Sequence, residues 1–160
     1  MENVPPVPAQ RQVDALTERC YAGLDAMALG REAVRRLRPV LWIDAAFVAT
    51  VDPATLLFTS AASEDPLTEA APLFLANELG GRDVNRFTDL AAGPVPVRTL
   101  DQATHGDRDQ SARHAEIMRP LGLGDELRVA LRTRQACWGV MCLHREAGSA
   151  GFSQHDRDIV

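Results

Sequence analysis

The longest stretch of strand-type patterning lies in the C-terminal third, GDELRVALRTRQACWGVMCLHR, from Gly124 to Arg145. Leu127, Val129 and Leu131 alternate with Arg128, Ala130 and Arg132. After a polar break at Arg134 and Gln135, Trp138, Val140, Cys142 and His144 alternate with Gly139, Met141 and Leu143. A side-chain period of two assigns each set to its own face of a sheet. The pattern predicts a hairpin whose first strand is half-exposed and whose second is covered on both faces. Such a strand lies inside a sheet with layers above and below it, the arrangement that encloses a pocket.

Upstream, Val13, Leu16, Cys20, Leu24 and Met27 form one apolar stripe at helical spacing and predict a helix from Gln12 to Leu29. Gly30 is placed as its C-terminal cap. A second helix, Arg31 to Arg38, is expected to end at Pro39. Ala45 to Val51 and Leu56 to Ala62 read as strands joined by the turn Asp52-Pro53-Ala54-Thr55. Asp65-Pro66 carries a helix-start signal, and Gly80-Gly81 a stop, with Pro72 a possible kink. Asn85 to Ala92 reads as a short helix closed by Gly93. Val95-Pro96-Val97 reads as an edge strand, since proline cannot donate to an interior ladder. Asp101 to Gln110 is expected to be a loop, and Ser111 to cap a helix running to Arg119. Ser153 and Asp156 form a capping-box variant that starts a last helix. That helix is expected to be truncated, the chain being a piece of a longer protein. Residues 1–11, rich in proline, are expected to be a loose tail, and 12–160 one domain. Mixed order with hairpins and no regular βαβ alternation means α+β with a mostly antiparallel sheet.

Composition narrows the function classes. A chain of 160 residues, 46% hydrophobic and 24% charged, suits a single globular domain. A net charge of −5 and the absence of a clustered basic face argue against direct nucleic-acid contact. Arg35, Arg36 and Arg38 are expected to be a solvated helix face. No apolar run approaches the roughly 18 residues of a membrane span, and the N-terminus lacks a signal-peptide pattern. Three cysteines do not make a disulfide framework, so a reducing cytoplasm is the expected compartment.

DAAFVATVDP (Asp44 to Pro53), AAGPVPVRTL (Ala91 to Leu100) and the runs Met118 to Thr133 and Trp138 to Glu146 together resemble a GAF domain, a small-molecule sensing module related to the PAS fold. The last runs resemble the GAF-type half found ahead of LuxR-type helix-turn-helix segments in actinobacterial transcription regulators. The resemblance spans about Thr17 to Val160. It implies a GAF-like α+β fold with a five- to six-stranded sheet. Terminal helices would cover one face, and pocket helices and loops the other. It also implies a cytoplasmic, non-enzymatic sensor of a transcription regulator, often a homodimer through terminal helices, with any DNA contact made outside this chain.

Candidate ligand-binding residues on that frame are Phe58, Asn85, Phe87, Asp89, His114, Ile117, Met118 and Cys142, an apolar set with a few directed polar groups. His114 shares a helix face with Ile117, Met118 and Leu121, where a core histidine and a ligand partner are both open readings. Cys137 and Cys142 stand five apart and are expected on opposite faces of their strand, too divergent to bridge or to share a metal. His105, Asp107 and Asp109 lie in a polar loop without the glycine and terminal glutamate of an EF-hand. No catalytic or metal-ligating set and no cofactor is assigned. Two alternatives stay open: a ligand-free dimerisation module whose pocket is filled by side chains, and a GAF-fold reductase of free methionine sulfoxide. The second needs an accessible, low-pKa thiolate.

Overall fold

The computed structural model describes residues 8–160. Most of the expected N-terminal tail lies outside the described residues. A five-stranded antiparallel sheet has the order β2-β1-β5-β4-β3. It is built from β1 (Ala45–Val51), β2 (Phe58–Ser63), β3 (Val97–Thr99), β4 (Leu123–Arg132) and β5 (Cys137–Glu146). The C-terminal hairpin holds the centre of the sheet, as its patterning predicts. The sequence order of elements thus becomes an α+β fold with a layer on each face of the sheet.

On one face, Ala46, Val48, Leu127, Val129, Met141 and Leu143 meet Val34, Leu37 and Leu41 of helix α2 (Ala26–Leu41). Leu41, Leu127 and Leu143 are fully buried there. Each such side chain stabilises the fold by about 1.5–3 kcal/mol relative to exposure. Helix α1 (Ala9–Cys20) lies against α2 and contributes Leu16 to the edge of this core. The last helix, α6 (Gln154–Ile159), carries the capping box read from Ser153 and Asp156, with both reciprocal bonds formed.

The single helix expected from Gln12 to Leu29 is instead two. The chain breaks after Cys20, where Gly23 takes a φ of 73°, and Asp25 restarts it by accepting the Ala28 N–H at 2.8 Å. Gly30 is therefore interior to α2 and not a cap. Pro39 does not end that helix, which runs on to Leu41. Both Pro39 and Arg35, whose carbonyl the proline leaves without a helical donor, face solvent, so water can satisfy that oxygen. Near the end of α2, Arg38 grips Glu64 just beyond β2, with Nη2 2.6 Å from both carboxylate oxygens. The same carboxylate accepts the Ala46 N–H of β1 at 3.0 Å.

The opposite face is roofed by α3 (Ala71–Gly80) and α4 (Phe87–Ala92). Residues 65–70 form turns, so α3 starts later than the Asp65-Pro66 signal suggests. Pro72 sits in its first turn, where no kink results. The expected loop after Asp101 contains α5 (Leu100–Thr104), capped reciprocally by Thr99 and Gln102. The helix expected after Ser111 is present, with a widened π-type turn over His114–Met118.

Strand β4 departs most from its reading. It is buried on both faces over most of its length, including Glu126 and Arg128. The alternation of charge suggested solvent, but here a roof helix covers that face and the charges satisfy one another. Strand β5 also breaks strict alternation. Leu131 pairs with Gly139 while Arg132 pairs with Cys137, a bulge of one residue. The bulge brings Cys137 into the same apolar cluster as Cys142, so the two thiols do not lie on opposite faces. Trp138, on the strand expected to be covered on both faces, is turned out and is 55% exposed.

Candidate functional site

Between the sheet and α3 lies a cavity of about 170 Å³. Phe47 and Phe58 from β1 and β2, Leu67 from the turn, Phe74 from α3 and Phe87 from α4 supply its apolar walls. Period-two geometry explains the strand contributions, since Phe47, Ala61, Ser63, Arg128, Cys142 and His144 all occupy cavity-facing positions. The rings of Phe47 and Phe58 are 5.5 Å apart and tilted, and Phe58 meets Phe87 edge-on at 6.2 Å. Such tilted pairs are attractive arrangements for aromatic rings.

Beside this apolar volume runs a buried charge network. Glu78 reaches in from α3, accepting the Phe87 N–H at 2.7 Å and Arg128 Nη1 at 2.7 Å. It thereby fastens α3, the start of α4 and β4 together. The Arg128 guanidinium lies 4.3 Å from the Phe87 ring centre, a cation–π contact in a desolvated place. Arg113, fully buried, donates to Glu126, to the Val84 carbonyl and to Asn77, while its own N–H reaches Asp83 at 2.7 Å. A guanidinium has five donors in a fixed fork, which suits it to this many partners.

These contacts set the protonation states. Burial pushes the Glu126 carboxyl up, but the guanidiniums of Arg113 and Arg128 outweigh it and hold the group well below the usual range. Burial and then the neighbouring Glu126 push the Cys142 thiol well up, so it stays protonated. Burial, with Arg128 and Arg113 nearby, lowers His144 to about 4, so it is neutral. Cys142 Sγ sits 3.3 Å from Glu126 Oε2 and 3.2 Å from His144 Nε2. Arg128 Nε and His144 Nδ1 are buried without a hydrogen-bond partner, as is Asn85 Oδ1.

Glu126, Cys142 and His144 bring one oxygen, one sulfur and one nitrogen within 4.8 Å of one another, which is metal-ligand chemistry. Their surroundings do not fit an ion. Glu126 already sits between two guanidiniums. The second imidazole nitrogen of His144 lacks the carboxylate or carbonyl partner that metal-bound histidines normally have.

Of the eight candidates read from the sequence, Phe58, Phe87 and Cys142 line the cavity. Asn85 stands next to it, giving its carbonyl to Arg128 at 3.2 Å and its side-chain amide to the Thr99 carbonyl at 2.9 Å. Met118 packs behind the wall, in the cluster that touches Phe47 and Phe74. Ile117 and His114 are buried but outside the lining, and His114 Nδ1 pairs with Asp109 at 2.8 Å. Asp89 is exposed and also outside it. Residues the sequence reading left out are Glu78, Arg113, Glu126, Arg128 and His144. For His144 a signal was available, since it shares a face with Cys142 on a strand read as covered; Glu78 and Arg113 meet Arg128 and Glu126 only through long-range contacts.

Similar architectures occur among solved structures. The chromophore-binding domain of Stigmatella aurantiaca phytochrome P1 matches with a TM-score of 0.59 at 16% identity, covering 99% of this chain and 58% of that one. The phycocyanobilin-bound GAF domain of a cyanobacterial phytochrome matches with a TM-score of 0.62 at 12% identity, over 96% of this chain and 87% of that one. The VqsR LBD domain from Pseudomonas aeruginosa matches with a TM-score of 0.52 at 16% identity, over 86% and 80%. At these identities the likeness establishes the fold. The chain spans little more than half of the Stigmatella protein chain it matches. No curated protein matches the chain. Residues 25–160 match the family model for the GAF domain, and the chain belongs to the GAF domain family.

Proposed function

We propose that residues 12–160 form a non-enzymatic, small-molecule-sensing domain of a cytoplasmic transcription regulator of the LuxR-associated type. The observation that carries this reading is the cavity of about 170 Å³ between the sheet and α3, apolar apart from a few buried polar groups. A side-chain-filled scaffold would have no such volume. It is close to the roughly 150 Å³ engineered cavity that accepts benzene, and below the 300–1,000 Å³ of drug-sized sites. A ligand of one ring fits, whereas the four rings of a phycocyanobilin would require the roof to move. The shared fold with the VqsR LBD domain accords with a ligand-binding role.

Output would run through the layer on the other face. A ligand shifts the arrangement of α1, α2 and α6 only by its difference in affinity for two states, typically worth 1–3 kcal/mol. Helix α1 lies ahead of the residues that match the family and adds a second amphipathic layer on α2. That layer supports a homodimer through the terminal helices. DNA contact belongs to another part of the regulator. The reductase reading is disfavoured by chemistry, because Cys142 is a buried thiol pushed up by burial and by Glu126, not a thiolate.

Native mass spectrometry of freshly purified protein tests the reading. A co-purified small-molecule adduct that disappears in Phe58→Trp, where the cavity is filled, is expected. The apo mass alone, with no thermal shift from cyclic nucleotides, fatty acids or aromatics, would leave the dimerisation scaffold as the better account.

A further inference from the structure

The cavity and the chain of buried hydrogen bonds beside it together define a ligand class, given the reading of the cavity as a ligand site. Glu126 and His144 are direct partners across the β4–β5 ladder, and Cys142 stands two residues before His144 on the same face. Three polar side chains are thus lined up on rigid strands, Sγ being 3.3 Å from Glu126 Oε2 and 3.2 Å from His144 Nε2.

A thiol has one proton, so it donates to Glu126 or to His144 but not to both. Glu126, kept ionised by Arg113 and Arg128, can only accept, and bonds to an ionised acceptor are about twice as strong as neutral ones. With S–H on Glu126, the Nε2–H of His144 donates to sulfur and both contacts are hydrogen bonds. With S–H on His144, sulfur and carboxylate would face each other without a proton between them. The first arrangement is therefore the stable one. It leaves His144 Nδ1 as a bare lone pair. That atom is buried and unpartnered, on a residue that is 1% exposed and lines the cavity.

The missing partner of Nδ1 is a donor, and the cavity that His144 lines has room for one ring. We infer that the cavity receives a neutral, monocyclic aromatic bearing one O–H or N–H, of the phenol or aniline class, which donates to His144 Nδ1. The tilted rings of Phe47, Phe58 and Phe87 offer faces and edges to such a ring. An anionic ligand is not matched. The two guanidiniums near the cavity are already engaged by Glu78, Glu126 and Asp83, which leaves no cation in excess.

Calorimetric titration of the full chain with phenol, and with toluene and anisole as donor-free ring controls, tests this. Phenol should bind about tenfold or more tightly than toluene, and in His144→Leu the preference should vanish. Long-range proton–nitrogen NMR of the unaltered protein supplies a readout that does not depend on whether that variant folds. His144 should be the Nε2–H tautomer, with the Nδ1 resonance moving on addition of phenol and not of toluene. Equal binding of phenol and toluene, or a proton on Nδ1, overturns the donor assignment. Failure of every single-ring compound to bind overturns the ligand class. A mass-spectrometric adduct in the same preparation would then leave the cavity standing as a ligand site for another chemistry.

Discussion

The two faces of the central sheet are built from the same strands and solve burial in opposite ways. Toward α2, the inward positions of β4 and β5 are Leu127, Val129, Met141 and Leu143, and the contact is dry hydrocarbon. Toward α3, the alternate positions on the same strands include Glu126, Arg128, Cys142 and His144, satisfied mainly by one another and by the roof. The first face tolerates any close packing of similar volume. The second requires that each charge keep its partner, which makes it costlier to build and more specific in shape. A cavity survives beside it because a charge network fixes the roof at a few points instead of filling the space.

The sharpest way to break this contrast is to remove one charge. Arg113→Met strips Glu126 of its main partner and leaves the buried carboxylate only Arg128 and the Cys142 thiol beside it. Urea denaturation should show a loss of about 3–5 kcal/mol. A loss below about 1 kcal/mol would mean that water reaches the network. On the dry face, Leu143→Ala removes a fully buried side chain and should cost about 2–5 kcal/mol through burial and cavity terms. There the ligand response should be retained, in contrast to changes on the other face.

Acid separates the faces without mutation. His144 is held at about 4 in the fold, against an ordinary value of 6.5. Between those values the unfolded chain carries a proton that the folded chain refuses, so stability falls as pH drops from about 6.5 to about 4. The loss is up to about 3 kcal/mol. Glu126 works in the same direction lower down, its contribution being present above about 4.5 and lost as pH falls further. His144→Gln should flatten the profile between pH 6.5 and 4.5, as followed by thermal unfolding. A wild-type profile already flat there would contradict the neutral histidine. The smallest expected effect is that of Trp138→Ser. Its stability should change by no more than about 0.5 kcal/mol, since the indole is exposed. Sedimentation of the same variant asks whether that surface belongs to a subunit contact.

Much of this was legible in the residues. The bounds of β1 follow directly from AAFVATV, and the final hairpin occupies the sheet centre that its apolar alternation required. The Ser153 and Asp156 box formed as written. What misled was treating local pattern as sufficient where tertiary cover decides. Charges at Glu126 and Arg128 suggested solvent, because nothing local announces that a helix fifty residues earlier will place Glu78 over them. Helix α2 passed through Pro39 because the lost bond faces water, and the break near Gly23 was masked by an apolar stripe that continues across it. Two signals were present but unused: Thr99 with Gln102, which caps α5, and His144, a polar side chain on a strand already recognised as covered on both sides.

Ser63 lies on the lip of the cavity, and the very next residue is the carboxylate clasped by Arg38. The backbone therefore leaves the cavity and, within a single peptide unit, becomes a clutch engaging the helix on the far side of the sheet. On the sensor reading proposed above, a guest that pushes the lip outward would pull on that clutch, while one that leaves the lip at rest would occupy the cavity unnoticed by the helix.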